Sequence, residues 1–124
     1  MMKLVTAALL TSMAFGTYQA KAAVLPEFDL TCEGAKGAHL HFRFDLAQKK
    51  WCEGQCQSVW PIAGLSDSTI KLMTTSSDSQ YNWTFVIDRY TSAFVAVHRG
   101  YGDAPADGGS CKAAPFSGFP NRKF

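Results

Sequence analysis

The chain has 124 residues, of which 47% are hydrophobic and 18% are charged, and its formal net charge is +2. A chain of this length supports a single small domain, since domains of this size bury only about 60 to 70% of their unfolded surface and cannot build two cores. The near-neutral charge, together with the lack of a run of like charges in the sequence, argues against the basic stripe typical of nucleic-acid-binding proteins, so no nucleic acid is expected as a partner.

An export signal is predicted at the N-terminus. Lys3 precedes an apolar run over residues 4–15, and Ala20-Lys21-Ala22 matches the small-residue pattern that signal peptidases cut. The apolar run is shorter than the ~20 residues needed to cross a bilayer, so no membrane span is expected after removal of the signal. We therefore predict a signal peptide over residues 1–22 and one secreted or periplasmic β domain over residues 23–124.

Alternation of apolar and polar residues predicts strands in the first part of the domain. Residues 27–33 alternate, with Cys32 on the apolar face, and residues 39–46 alternate most clearly. A half-buried antiparallel strand produces this pattern, because one face of the sheet is dry and the other is wet. For the second strand, the dry face would hold Leu40, Phe42, Phe44 and Leu46, and the wet face His39, His41, Arg43 and Asp45.

Three further strands are predicted in the middle of the chain. After the polar turn at residues 47–50, Trp51 begins a strand that should form a hairpin with the second strand. Residues 57–62 are predicted as a fourth strand, in which Pro61 indicates a sheet edge or a bulge because proline cannot donate to the ladder. Residues 69–74 are predicted as a fifth strand.

The last part of the chain predicts a hairpin, a loop and a final strand. Residues 82–88 and 93–99 are rich in aromatic and β-branched residues and should pair. Residues 101–109 hold three glycines and one proline and predict a long exposed loop, and Cys111 would begin the last strand. Because no helical period appears, the predicted fold class is all-β, with about eight short antiparallel strands in a meander that forms a small barrel or a two-layer sandwich.

The four cysteines, which all follow the predicted signal, indicate a disulfide framework in an oxidising compartment. Three pairings are possible. We favour Cys52 with Cys56, because Gly54 allows a tight bend between them, and Cys32 with Cys111, which would tie the first strand to the last. A redox role for Cys52 and Cys56 is disfavoured, since thioredoxin-like motifs have two intervening residues and lie in a βαβ unit.

The sequence contains no arrangement of residues typical of a catalytic or metal site. His39 and His41 share a strand face, but a metal needs a further ligand, and His98 lies on another strand. Asp103 and Asp107 do not have the spacing of a calcium-binding loop. No serine-hydrolase or zinc-protease motif is present, and we expect neither a metal nor a cofactor.

Aromatic residues outside the predicted strands are the candidates for partner binding. Tyr101 lies in the predicted loop, and Phe116 and Phe119 lie in the C-terminal tail. The tail is expected to fold back and cover one end of the sheet. The alternative is an exposed aromatic patch that binds a partner.

Three segments carry a family resemblance. Residues 51–56 (WCEGQC), 86–94 (VIDRYTSAF) and 108–120 (GGSCKAAPFSGFP) together resemble a group of small exported bacterial proteins with no assigned function. The architecture is also similar to that of the periplasmic inhibitors of C-type lysozyme, which insert a Ser-Gly-x-x-Tyr motif into their target. Here Ser117-Gly118 is followed by Phe119-Pro120-Asn121, so the tyrosine of that motif is missing. The resemblance implies a small β fold rather than an activity.

These observations predict a non-enzymatic exported domain that binds a protein or an envelope component. Two alternatives remain open. One is an inhibitor of a lysozyme-type hydrolase, and the other is an envelope hydrolase or thiol-disulfide enzyme whose site assembles from dispersed residues.

Overall fold

The computed structural model describes residues 26–75, 82–100 and 105–120. The predicted signal peptide, Tyr101 and Asp103 lie outside these described residues. Within them, no residue is helical, and nine antiparallel strands form one sheet. The strands are β1 (Glu27–Gly34), β2 (His39–Asp45), β3 (Lys50–Glu53), β4 (Trp60–Pro61), β5 (Gly64–Leu65), β6 (Thr69–Met73), β7 (Trp83–Asp88), β8 (Ala93–His98) and β9 (Pro105–Ala114).

The sheet curls so that its two edges come together. The strand order is β4-β3-β2-β1-β9-β8-β7-β6-β5, and the edge strands β4 and β5 are separated along the chain only by Ile62 and Ala63. The Ile62 N–H donates to the carbonyl of Lys49 (2.8 Å), and the Ala63 N–H donates to the carbonyl of Lys71 (2.9 Å). One segment therefore leaves the β3 side of the sheet and joins the β6 side, which gives a half-barrel rather than a sandwich.

The inner face of the curled sheet holds one aromatic core. Phe42 on β2 and Phe85 on β7 meet across the interior with ring centroids 5.1 Å apart, although their strands are not neighbours in the sheet. Trp51 is fully buried and contacts the same two rings. A core of this composition contributes strongly to stability, since each aromatic ring buries a large apolar area. The buried core residues are Leu30, Cys32, Phe42, Phe44, Trp51, Ile70, Leu72, Phe85, Ile87, Phe94, Ala96 and Cys111.

The first and last strands are neighbours, as the closed meander predicts. Cys32 on β1 lies directly opposite Cys111 on β9 and forms a disulfide with it. The second disulfide joins Cys52 and Cys56 around Gly54, whose φ of +64° is the bend that the short loop requires. Both disulfides join the pairs that the sequence favours, and both predicted hairpins, β2–β3 and β7–β8, are present.

Two of the predicted element boundaries are wrong. Residues 57–62 were expected to form a strand, but only Trp60–Pro61 is extended and paired, and the additional strand β5 follows it. Residues 101–109 were expected to form a loop, yet β9 begins at Pro105. Gly109 and Gly108 are needed in that strand because a Cβ on Gly109 would lie 2.0 Å from the carbonyl oxygen of Glu33, and one on Gly108 would lie 3.0 Å from that of Phe94. These glycines therefore allow neighbouring strands to approach closely.

Two acidic side chains on the outer face of β1 and β2 are buried, whereas the alternation pattern predicts this face to be wet. Asp29 is only 3% exposed and Asp45 only 6%, although both side chains point away from the core. Asp29 is covered by the C-terminal tail, residues 115–120, which lies on this outer face instead of covering one end of the sheet, and Asp45 accepts a hydrogen bond from the Gln48 N–H in the β2–β3 turn. Ser117 contacts Asp29 and the Gly118 carbonyl contacts Arg43.

Candidate functional site

Asp29 holds the tail on the outer face of the sheet. Its Oδ1 accepts a hydrogen bond from the Ser117 N–H (3.1 Å), and its Oδ2 accepts one from the Ser117 hydroxyl (2.6 Å). The His41 Nε2 lies 2.7 Å from the same Oδ2 and donates to it, since a carboxylate only accepts. We call Asp29, His41 and Ser117 the tail clamp.

The electrostatics of the tail clamp favour an ionised Asp29. Burial raises the pKa of the Asp29 carboxyl, but the hydrogen bonds from the Ser117 hydroxyl, the His41 ring and the Ser117 backbone together outweigh burial and hold this pKa below its ordinary value. A buried carboxylate with three donors is satisfied, so its charge stabilises the clamp rather than disrupting it.

Arg43 links the tail to the disulfide loop between Cys52 and Cys56. Its Nη1 donates to the carbonyl of Gly118 (2.8 Å), and its Nη2 donates to the carbonyl of Gly54 (3.0 Å). Cys52 and Cys56 are 0% and 3% exposed, respectively. Because attack by an external thiolate needs access to sulfur, this buried bridge is poorly suited to thiol-disulfide exchange.

The tail clamp contains the serine, histidine and aspartate of a serine-hydrolase triad, but its hydrogen bonds join them in a different order. In a catalytic triad the histidine lies between the serine and the carboxylate, so that it can take the hydroxyl proton. Here Asp29 lies between Ser117 and His41, and the hydroxyl donates to the carboxylate. The cluster therefore anchors the tail and differs from a catalytic triad in its geometry.

We expect Asp29→Asn to lower the free energy of unfolding at pH 7 by about 2 kcal/mol. The hydrogen bonds to a buried charge are lost, and the amide nitrogen of the asparagine, which is a donor, would lie against the donors of Ser117 or His41. As the folded-state pKa of Asp29 is lowered, its contribution is present above the ordinary value of 3.8 and is lost as the pH falls through the folded-state pKa. Urea unfolding at pH 7 and below pH 3.8 measures both effects. The exposed Asp67→Asn is the control, and equal losses in both variants would contradict the clamp.

A concave cleft of about 1120 Å³ opens at the end of the half-barrel where β1 turns into β2. Its floor is the end of the core, formed by the half-buried Trp60 and Trp83 with Phe85. Its rim is polar and includes the exposed residues Gln55 and Gln57. We call this the tryptophan cleft.

Two carboxylates on the rim of the tryptophan cleft differ in their electrostatics. Asp107 accepts hydrogen bonds from the backbone N–H groups of Lys36, Ala38 and Gly108, and these bonds, led by the one from Lys36, lower its pKa. Burial raises the pKa of Glu53, opposed by a hydrogen bond from the backbone of His41. Asp107 thus fixes the β1–β2 turn at the cleft. The sequence pattern, which predicts an exposed loop at this position, indicated no such structural role for Asp107.

A second cleft, of about 780 Å³, lies at the opposite end of the half-barrel and is lined mainly by apolar residues such as Phe28 and Ile87. Tyr90, 78% exposed, stands at its edge on the β7–β8 turn. Asp88 orders this turn, because its Oδ1 accepts from the N–H groups of Tyr90 and Thr91 and these bonds, that from Thr91 first, lower its pKa.

The candidate residues from the sequence are dispersed. Phe116 and Phe119 pack edge to face with centroids 5.3 Å apart and are half-buried in the tail, while Tyr101 lies outside the described residues. In residues 26–75, 82–100 and 105–120, no three His, Cys, Asp or Glu side chains are grouped to hold a metal ion. The tryptophan cleft and the tail clamp were missed because their members are far apart in the sequence. The alternation of apolar and polar residues placed Asp29 and His41 on the polar faces of the first two strands, but it did not indicate that they would contact each other.

No protein-family model, curated protein or solved structure matches the chain. Two disulfides are typical of proteins outside the cytoplasm. Among the described parts of the chain, no helix is long and apolar enough to span a membrane.

Proposed function

We propose that the chain is a non-enzymatic binding domain of the periplasm or cell envelope and that its ligand enters the tryptophan cleft. The observation that carries the proposal is the composition of this cleft, with two half-buried indoles on a concave floor and exposed amide side chains on the rim. Ligand sites typically combine an apolar, aromatic lining with a few polar groups that orient the ligand. The disulfides and the predicted export signal support an extracytoplasmic location.

The polar clusters of the structure support binding rather than catalysis. In the tail clamp, the Ser117 hydroxyl donates to the Asp29 carboxylate, whose pKa is lowered and which also accepts from His41. On the cleft rim, Asp107 is engaged by three backbone N–H groups, which leaves it poorly placed to exchange protons during a reaction. The rim therefore supplies fixed hydrogen-bonding groups.

An immobilised chain tests this proposal when it is incubated with a bacterial envelope extract. We expect it to retain a reproducible fraction, and we expect the double variant Gln55→Ala/Gln57→Ala to retain at least about fivefold less, since each lost hydrogen bond costs roughly 1 kcal/mol. Tyr90→Ala, at the opposite end of the half-barrel, is the matched control. Equal retention by the double variant and the wild type, or none by either, would overturn the proposal.

One observation favours a second candidate, an envelope hydrolase. Glu53, whose pKa is raised, and Asp107, whose pKa is lowered, line the same cleft. Glycosidases typically use two carboxyl groups whose pKa values differ in this way. If this candidate is correct, the wild type cleaves cell-wall glycan and Glu53→Gln does not.

The tail supports the inhibitor alternative less well than the cleft supports binding. The lysozyme inhibitors insert a Ser-Gly-x-x-Tyr motif into the active site of the target enzyme. Here the Ser117 hydroxyl is bonded to Asp29, and the Gly118 carbonyl accepts from Arg43. Inhibition through this segment would require both bonds to break, so we place the binding surface at the tryptophan cleft.

A further inference from the structure

The floor of the tryptophan cleft is a preorganised aromatic platform. Trp83 stacks nearly parallel on His98, with ring centroids 4.5 Å apart and an interplanar angle of 14°, and also nearly parallel to Phe85. Trp60 is held against the buried Trp51, with centroids 5.0 Å apart. Both indoles are half-buried, so each combines a fixed orientation with surface that a ligand can contact. A fixed aromatic surface lowers the entropy cost of binding.

The rim of the cleft carries few charged side chains, with one lysine and two carboxylates among the residues that line it. Lys36 lies beside Asp107, whose carboxylate is also bonded to backbone N–H groups, and Glu53 has a pKa raised by burial. The remaining rim includes the uncharged side chains of Gln55, Gln57 and Ser58. Amides and hydroxyls both donate and accept hydrogen bonds. Such a rim complements a neutral ligand rich in hydroxyl groups, and its single lysine beside two carboxylates offers no excess positive charge to a polyanion.

We infer that the tryptophan cleft binds an uncharged, hydroxyl-rich saccharide. The apolar C–H face of a sugar ring stacks on Trp83 or Trp60, and the ring hydroxyls exchange hydrogen bonds with Gln55 and Gln57. This inference rests on the proposed function, because it names the ligand class of the same cleft. Stacking supplies apolar burial, while the amides orient the hydroxyls.

The three tryptophans of the chain provide the readout, because each gives one indole N–H signal in a two-dimensional NMR spectrum. The full chain is titrated with a β-1,4-linked N-acetylglucosamine tetrasaccharide and, separately, with maltotetraose, which distinguishes an amino-sugar glycan from a neutral glucan. We expect saturable shifts of the Trp60 and Trp83 signals with at least one probe. The Trp51 signal should stay unchanged, since Trp51 is fully buried and its indole N–H donates to the Pro61 carbonyl.

The variants separate binding from folding. Gln57→Ala, at an exposed position, should weaken saccharide binding about fivefold, whereas Tyr90→Ala should leave it unchanged. The saccharide inference is overturned if neither probe shifts Trp60 or Trp83, or if Trp51 shifts equally, as non-specific binding would produce. If the immobilised chain retains an envelope protein and neither saccharide shifts the Trp60 or Trp83 signals, the saccharide inference is overturned. The proposed function would still be supported in that case.

Discussion

Removal of the Cys32–Cys111 disulfide should destabilise the domain more than removal of the Cys52–Cys56 disulfide. The first bridge joins residues 79 apart in sequence and the second joins residues 4 apart. By the loop-entropy model, the long bridge contributes about 4.5 kcal/mol and the short bridge about 2 kcal/mol. The long bridge also joins the two central strands β1 and β9, where Cys32 is fully buried.

Double alanine variants make this comparison without leaving a free thiol. Cys32→Ala/Cys111→Ala should lose about 2.5 kcal/mol more than Cys52→Ala/Cys56→Ala in urea unfolding. Equal losses would show that the β1–β9 seam is held by its strand pairing and not by the bridge.

Gly109→Ala should be severely destabilising. A Cβ at this position would lie 2.0 Å from the carbonyl oxygen of Glu33 and 2.9 Å from the Cα of Gly34, both of which belong to the backbone of the paired strand. Side-chain rotation cannot relieve this overlap, so β1 and β9 must separate. We expect a loss of about 3 kcal/mol or more in thermal or urea unfolding.

Gly64→Ala is the matched control for the glycine substitution. Gly64 also lies in a strand, but its Cβ would meet only the Lys71 Cβ at 3.4 Å, which is an ordinary contact. The free energy of unfolding should change by less than about 0.5 kcal/mol. A Gly109→Ala variant as stable as the Gly64→Ala variant would contradict the close packing of β1 and β9.

The sequence predicts the parts of the fold that depend on local pattern. Strict alternation identifies β1 and β2, and Gly54 between Cys52 and Cys56 identifies the tight disulfide loop. A closed meander then makes the first and last strands neighbours, which accounts for the Cys32–Cys111 pairing.

The errors arise where long-range packing overrides local pattern. Glycines usually indicate loops, but Gly108 and Gly109 lie in β9 because neighbouring backbones leave no space for a Cβ. Asp29 was expected on a solvated face and is buried by Ser117, which is 88 residues away. Neither the tail clamp nor the tryptophan cleft has a periodic signal, because each is assembled from segments that only the folded sheet brings together.

The indole NMR spectrum of the full chain, recorded over time with the envelope fraction that the immobilised chain retains, tests the proposed function most directly. We expect the Trp60 and Trp83 signals to move saturably and to keep their new positions, while the Trp51 signal stays in place. Signals that return to their starting positions as the ligand is consumed would show turnover and contradict a non-enzymatic role. Saturable binding with no movement of Trp60 or Trp83 would contradict the assignment of the tryptophan cleft.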